Sequence, residues 1–255
     1  MKPIFISGIG TGIGKTVIAA IIAEALKADY WKPVQAGYEP GTDRALVASP
    51  ISNSETVIHP GTDRALVTSL ESNSETVLHP GTDRALIASL VSNSETVLHP
   101  ETYLLKLAAS PHIAAQKENK RIELKKIADD LSEMDRSRPL VIEGAGGLMV
   151  PLNEQEFVID LLKMLDARVV LVSRNYLGSI NHSLMTAAIC RNYGLDVIGW
   201  VFNDQYMNYE QEIVRWSGYP ALFSLPLMTP LSKQTILAAA ESIPPEGMGY
   251  LYESL

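Results

Sequence analysis

"FISGIGTGIGKTVIAA", residues 5–20, carries four glycines between an apolar run and a second apolar run with helical spacing. The dinucleotide fingerprint G-x-G-x-x-G fails here. Counted from Gly8 and Gly10, its third glycine falls on Ile13; counted from Gly10 and Gly12, on Lys15. The strict phosphate loop G-x-x-x-x-G-K-[ST] also misses its first glycine, because Ile9 stands there and the glycine lies one residue earlier, at Gly8. The working part survives in Gly12, Gly14, Lys15 and Thr16 at a strand-to-helix junction. Successive backbone N–H groups from Gly12 through Ile13, Gly14, Lys15, Thr16 and Val17 can wrap a phosphate at a helix N-terminus. Lys15 can reach β/γ phosphates from what is expected to be a solvent-facing loop mouth, and the Thr16 hydroxyl can ligate Mg2+.

Outward from this loop, the chain alternates. Strand-like runs lie at 3–7, 30–34, 140–143, 169–173 and 197–203, with a weaker one at 222–225. Helical patterns fill 15–27, 123–134, 157–165, 180–193 and 209–217. Several strands are almost wholly apolar, which suits a parallel sheet covered on both faces. The pattern predicts an α/β layered fold of P-loop NTPase type, a mostly parallel central sheet flanked by helices. In such a fold, ligands bind beyond the carboxyl ends of the strands.

The 255 residues carry 21 Lys and Arg against 29 Asp and Glu, a net charge of −8, and no basic stretch. Nucleic acid and anionic membranes are disfavoured as partners. Cys190 is the single cysteine, so an intrachain disulfide is excluded and a cysteine metal site is not expected. "MKPIFISG" reads as a first strand and not as a signal peptide. No apolar run reaches the ~18 residues of a membrane span. The expected location is the cytoplasm.

Residues 41–100 interrupt the alternation. "GTDRALVASPISNSETVIHP", "GTDRALVTSLESNSETVLHP" and "GTDRALIASLVSNSETVLHP" are three tandem copies of twenty residues, differing at three or four positions between any pair. Such likeness indicates a recent duplication or deliberate engineering. The expectation is one P-loop domain over 1–255 in which one copy belongs to the parent fold and two are an insertion. A solenoid with its own ligand surface is the competing reading. Each copy can form a short helix that begins at "DRAL", then an extended piece at its "ETV" and the residues up to the closing proline. Pro50 would truncate the helix of the first copy.

Two further loops follow strands. "YWKPVQAG" puts Lys32 at a strand end, where it is either a solvated lysine or a cation facing phosphate. "LVIEGAGGLMVPL" ends an apolar strand in Glu143, a plausible Mg2+ ligand, before three glycines in four residues that would admit an anion close to the backbone.

Taken together, "GTGIGKT" (10–16), "KPVQAG" (32–37), "SPHIAA" (110–115), "EGAGG" (143–147), "GSINHSLMT" (178–186), "GWVFND" (199–204) and "LPLM" (225–228) resemble, in order, the dethiobiotin synthetase family. The resemblance covers the chain apart from two repeat copies. It implies ATP- and Mg2+-dependent joining of CO2 to 7,8-diaminopelargonate. One amine captures CO2 as a carbamate, ATP phosphorylates it, and the second amine closes a cyclic urea and releases phosphate. It further implies Lys15 and Lys32 as the cations of catalysis, and Thr16, Glu143 and one repeat aspartate as organisers of Mg2+. Asn203 and the backbone at Pro226 would meet adenine. Thr11, Lys32, the position of Ala36, Gly146 and Asn181 would meet the diamine, Asn181 from the partner of a homodimer. Ala36 departs from the family's usual Ser or Thr.

Asp43, Asp63 and Asp83 all qualify as the repeat aspartate. Asp83, which keeps the single-copy spacing to "ETYLLKLAASPH", is preferred to Asp43, and Asp63 comes last. The recurring His59, His79 and His99 are read as copies and not as a metal array. His112 and His182 are read as loop-orienting residues, and Cys190 as packing. The alternatives are a ParA/MinD-like regulatory ATPase, whose signature lysine would fall at Gly10; a cobyrinate-type amide synthase, whose glutaminase domain is absent; and an engineered repeat scaffold without activity.

Overall fold

The computed structural model describes residues 1–38, 78–204 and 206–253. Nine strands are found among them: β1 (Ile4–Gly8), β2 (Asp29–Trp31), β3 (Val34–Ala36), β4 (Leu98–His99), β5 (Tyr103–Leu105), β6 (Leu140–Glu143), β7 (Arg168–Arg174), β8 (Val197–Asn203) and β9 (Ala221–Leu225). The helices are α1 (Lys15–Leu26), α2 (Asp83–Leu90), α3 (Pro111–Lys117), α4 (Leu124–Glu133), α5 (Val158–Met164), α6 (Ser179–Asn192), α7 (Glu210–Ser217), α8 (Lys233–Glu241) and α9 (Pro245–Tyr252). Seven strands form one sheet in the order β4-β2-β6-β1-β7-β8-β9, with every neighbouring pair parallel.

Two apolar layers follow from the period-two alternation of strand side chains. Ile4, Ile6, Val141, Val170 and Val172 face a layer that includes Ile18 and Ile22 of α1, Ile87 of α2, Ile236 of α8 and Leu251 of α9. Phe5, Ile142, Val169 and Leu171 face the other layer, with Ile127 of α4, Leu161 of α5, Cys190 of α6 and Ile213 of α7. Strands covered on both faces carry few polar residues, hence the near-continuous apolar runs in the sequence.

The predicted strand 30–34 divides. Pro33 has no N–H to give to a ladder, and the chain leaves the main sheet after Trp31. It resumes as β3, which pairs with β5 in a separate two-stranded parallel sheet. Lys32 therefore stands at a fork between two sheets. The third copy forms a helix and an extended piece as its sequence suggests. Thr82 caps α2 by accepting from Ala85 N at 3.1 Å, and Leu98–His99 pair with β2 at the sheet edge. The first copy and most of the second lie outside the described residues, and with them Asp43, His59 and Asp63.

Candidate active site

The C-terminal ends of β1, β2 and β6 meet at one edge of the sheet, and the three motif loops begin there. After β1 the chain turns through Gly12 (φ 72°) and Gly14 (φ 94°) into α1. No side chain caps α1 and its first turn holds no acidic residue, so its N-terminus is left for an anion. Lys15 opens the helix and folds back, donating from Nζ to Gly10 O at 2.7 Å. It is 7% exposed, which corrects the expectation of a solvent-facing lysine: the loop wraps around its own cation. Burial, with a smaller contribution from Lys32, lowers its pKa to about 8 against the opposing pull of Glu143 and Asp83.

Glu143, at the end of β6, is 1% exposed and fully engaged. Its Oε1 accepts from Thr16 Oγ1 at 2.9 Å and from Lys32 Nζ at 2.8 Å, and its Oε2 accepts from Tyr30 OH at 2.8 Å. Lys32 Nζ also donates to Asp83 Oδ2. Burial opposes the charge on Lys32, but Asp83 and Glu143 outweigh it and hold the ammonium above the ordinary lysine range. Asp83 sits in the first turn of α2, its N–H given to Gln35 Oε1 at 3.3 Å. Lys15, Thr16, Lys32, Asp83 and Glu143, dispersed in the chain, thus form one cluster.

The cluster's donor chemistry fits Mg2+. Asp83 and Glu143 offer hard carboxylate oxygens around one ammonium, and Thr16 adds a hydroxyl bonded to Glu143. Among the described residues, no three His, Cys, Asp or Glu side chains form a metal cage. Mg2+ typically takes one or two carboxylates and completes its shell with water and phosphate oxygens.

Asn203, at the end of β8, donates from Nδ2 to Ile13 O at 2.9 Å and so braces the phosphate loop. A Cβ at Gly14 would lie 2.2 Å from that Nδ2, and Gly14 already has a left-handed backbone, so only glycine fits. In the loop after β6, Gly146 faces Thr11: a Cβ there would come 3.6 Å from Thr11 Oγ1. A cleft of about 330 Å3 runs from these loops to α6, lined by Thr11, Gly147, Met149, His182, Met185 and Ile189 among others.

The remaining expected residues sit elsewhere. Val17 is buried in the layer beneath the loop, and Ala36 is half-buried at the end of β3. Pro226 is exposed after β9, and Asn181 is exposed on α6 with Nδ2 3.5 Å from Met185 Sδ. Two contributors went unread in the sequence and a third was read for another role. Tyr30 is in β2, and only its bond to Glu143 Oε2 draws it to the site. Gln35 is visible only through its contact with α2. His182, read as loop-orienting, lines the cleft with its Nδ1 2.6 Å from Tyr176 OH.

A family model described as an AAA domain matches residues 2–73 and 71–235, the two matches meeting inside the repeat. The chain is similar to the ATP-dependent dethiobiotin synthetase BioD of Cytophaga hutchinsonii, at 37% identity over 94% of this chain and 96% of the relative. A protein of the same name from Christiangramia forsetii is 39% identical over 83% of this chain and 81% of its own. Among solved structures, a ParA family ATPase from Chlorobium tepidum aligns over 95% of this chain and 100% of its own, with TM-score 0.52 and 16% identity. The MinC:MinD cell division protein complex of Aquifex aeolicus aligns over 96% of this chain and 98% of its own, with TM-score 0.52 and 14% identity. These two speak for the fold alone. With curated relatives at 37% and 39% identity matched over more than two thirds of both chains, the chain belongs to the dethiobiotin synthetase family.

Proposed function

We propose that this chain is an ATP- and Mg2+-dependent cyclo-ligase that closes 7,8-diaminopelargonate and CO2 into the cyclic urea of dethiobiotin, a step of biotin synthesis. The observation that carries the reading is the single cluster of Lys15, Thr16, Lys32, Asp83 and Glu143 at the carboxyl ends of the strands. The reaction gathers negative charge as a carbamate oxygen takes the γ-phosphoryl group, and fixed cations in a buried site stabilise such charge without reorganising. Lys15 and Lys32 supply them. Lys32 is oriented by two carboxylates and Lys15 by the carbonyl of its own loop. Thr16, Asp83 and Glu143 would hold Mg2+, which would supply positive charge to screen the phosphates.

In the same reading Thr11 and Gly146 border the carbamate, and the neighbouring cleft takes the aliphatic chain of the diamine between Met149, Met185 and Ile189. Ala36 leaves one substrate hydroxyl contact unmade. Asn203 and Pro226 border adenine. Leu177, Met185 and Met149 are 85%, 56% and 42% exposed near the cleft, apolar surface that supports a homodimer in which the partner's Asn181 meets the substrate carboxylate. The chain is read as one P-loop domain with two copies inserted, acting in the cytoplasm. Among the described residues no helix is long and apolar enough to cross a membrane. The test is incubation of the protein with diamine, bicarbonate and Mg-ATP, with dethiobiotin followed by mass spectrometry. ATP hydrolysis that ignores the diamine, with no cyclic urea formed, refutes the proposal.

A further inference from the structure

The first turn of α2 makes a second charged contact that the reaction itself does not use. Arg84, next to Asp83, brings its Nε to 3.4 Å from Glu101 Oε2, and both side chains are 3% exposed. A buried ion pair is weak as a source of net stability, because both charges must be desolvated. Its best-attested use is to fix the register of one segment on another. Register is a particular question here, since the Asp-Arg dipeptide recurs at 43–44, 63–64 and 83–84, whereas Glu101 lies beyond the repeat and occurs once.

Glu101 is itself fixed relative to Lys32. Trp31 Nε1 donates to Pro100 O at 3.0 Å, and Tyr103 N donates to Pro33 O at 2.9 Å. The residues flanking Lys32 thereby hold the residues around Glu101. With Arg84 drawn to that anchor, Asp83 is delivered to Lys32 through the backbone. The Thr82 cap and the Gln35 contact complete the first turn. We infer that Arg84 and Glu101 are positioning residues, which set the Asp83 carboxylate on Lys32 and so fix the metal-binding oxygens. This rests on the reading of Asp83 as a Mg2+ ligand.

The test compares Glu101→Gln and Arg84→Met with Arg84→Lys as the conservative variant and Asp83→Asn as reference. Mn2+ is titrated into the protein–ADP complex and followed by electron paramagnetic resonance, and the Mg2+ needed for half-maximal turnover is measured in parallel. Loss of a group that orients a metal ligand is expected to weaken Mn2+ binding and raise the Mg2+ requirement by about 10–100-fold. The KM for the diamine should hold, saturating Mg2+ should restore turnover, and Arg84→Lys should keep most of the parent affinity. Should Arg84→Met not fold, the near-isosteric Glu101→Gln carries the measurement. Parent-like Mn2+ affinity in folded Glu101→Gln, whatever its melting temperature, overturns the inference if Asp83→Asn does weaken Mn2+. Parent-like affinity in Asp83→Asn removes the metal role of Asp83 itself, and the positioning role with it.

Discussion

Val91→Glu places in the third copy the residue that the second copy has at the same position, Glu71. Val91 follows α2 directly and is 6% exposed, and with Ile87 (0%) and Leu90 (2%) it seats the helix on the core. Fully burying one such side chain is worth about 1.5–3 kcal/mol. The substitution forfeits that for Val91. It also buries a carboxyl among apolar groups, at a further ~1–3 kcal/mol even when the group is neutral. Neutrality at pH 7 requires a pKa raised by about three units from the ordinary ~4.3, at 1.36 kcal/mol per unit. The combined cost, about 5 kcal/mol or more, exceeds what a short helix held by three apolar side chains retains after its ordering entropy is counted. We expect α2 to release, Asp83 to leave Lys32, and Mg2+-dependent turnover at pH 7 to fall at least ~30-fold, with the global melting transition retained. Val91→Met, which keeps the apolar character but adds volume, should cost about 1–3 kcal/mol and retain turnover well above that of Val91→Glu. Turnover of Val91→Glu within about twofold of the parent would refute the argument that apolar seating of α2 governs the site, since a 5 kcal/mol penalty allows far less.

Lys15→Ala should reduce turnover by roughly 10²–10³-fold, as for loss of one preorganised donor. Its melting temperature should be at or above the parent's, because a buried ammonium with a lowered pKa burdens the fold; turnover within tenfold of the parent sinks the phosphate-site assignment. Asp83→Asn should collapse Mg2+-dependent turnover by about 10²-fold while Asp43→Asn and Asp63→Asn leave it unchanged; damage from Asp63→Asn, or silence at all three, contradicts the repeat assignment. Burial pushes the Cys190 thiol up to about 12 from an ordinary 9.0, so the folded chain keeps a proton that the unfolded chain loses between those values. Its contribution to stability therefore falls as pH rises above about 9. Replacing Cys190 with Ala should flatten the alkaline decline of the urea midpoint, and a slope equal to the parent's would count against the burial effect.

The long β-strands and amphipathic helices were legible because burial on two faces writes apolar runs and helical spacing into the sequence. β6 and β8 fall on the residues predicted. The break at Pro33 was written in the proline, but its outcome, a second sheet, depends on β5, a three-residue partner about seventy positions away. α8 and α9 were missed: their "KQTILAAA" and "PEGMGYLY" lack a clear polar–apolar stripe. At the site, motif chemistry pointed to Lys15, Thr16, Lys32 and Glu143; the family resemblance called for a repeat aspartate, and spacing chose Asp83 among the copies. Tyr30 and Gln35 were not singled out, since a tyrosine or glutamine in a strand has no chemistry of its own until a partner is brought to it. Asn203 was read toward adenine, and the contact the structure shows is with the phosphate loop itself.

That contact joins positions 14 and 203 into a single unit of heritable change. A methyl group at Gly14 would collide with the Asn203 amide, and the left-handed backbone there strains any larger residue in any case. Shortening Asn203 first would open the space but withdraw the bond to Ile13 O. Either step leaves a descendant with a poorer phosphate loop, and neither repairs the other, since a side chain at position 14 is strained at φ 94° whatever the space. Drift through single substitutions is thereby opposed at two sites far apart in the gene, and an N-terminal third taken from a distant relative should be accepted only when it brings glycine at position 14.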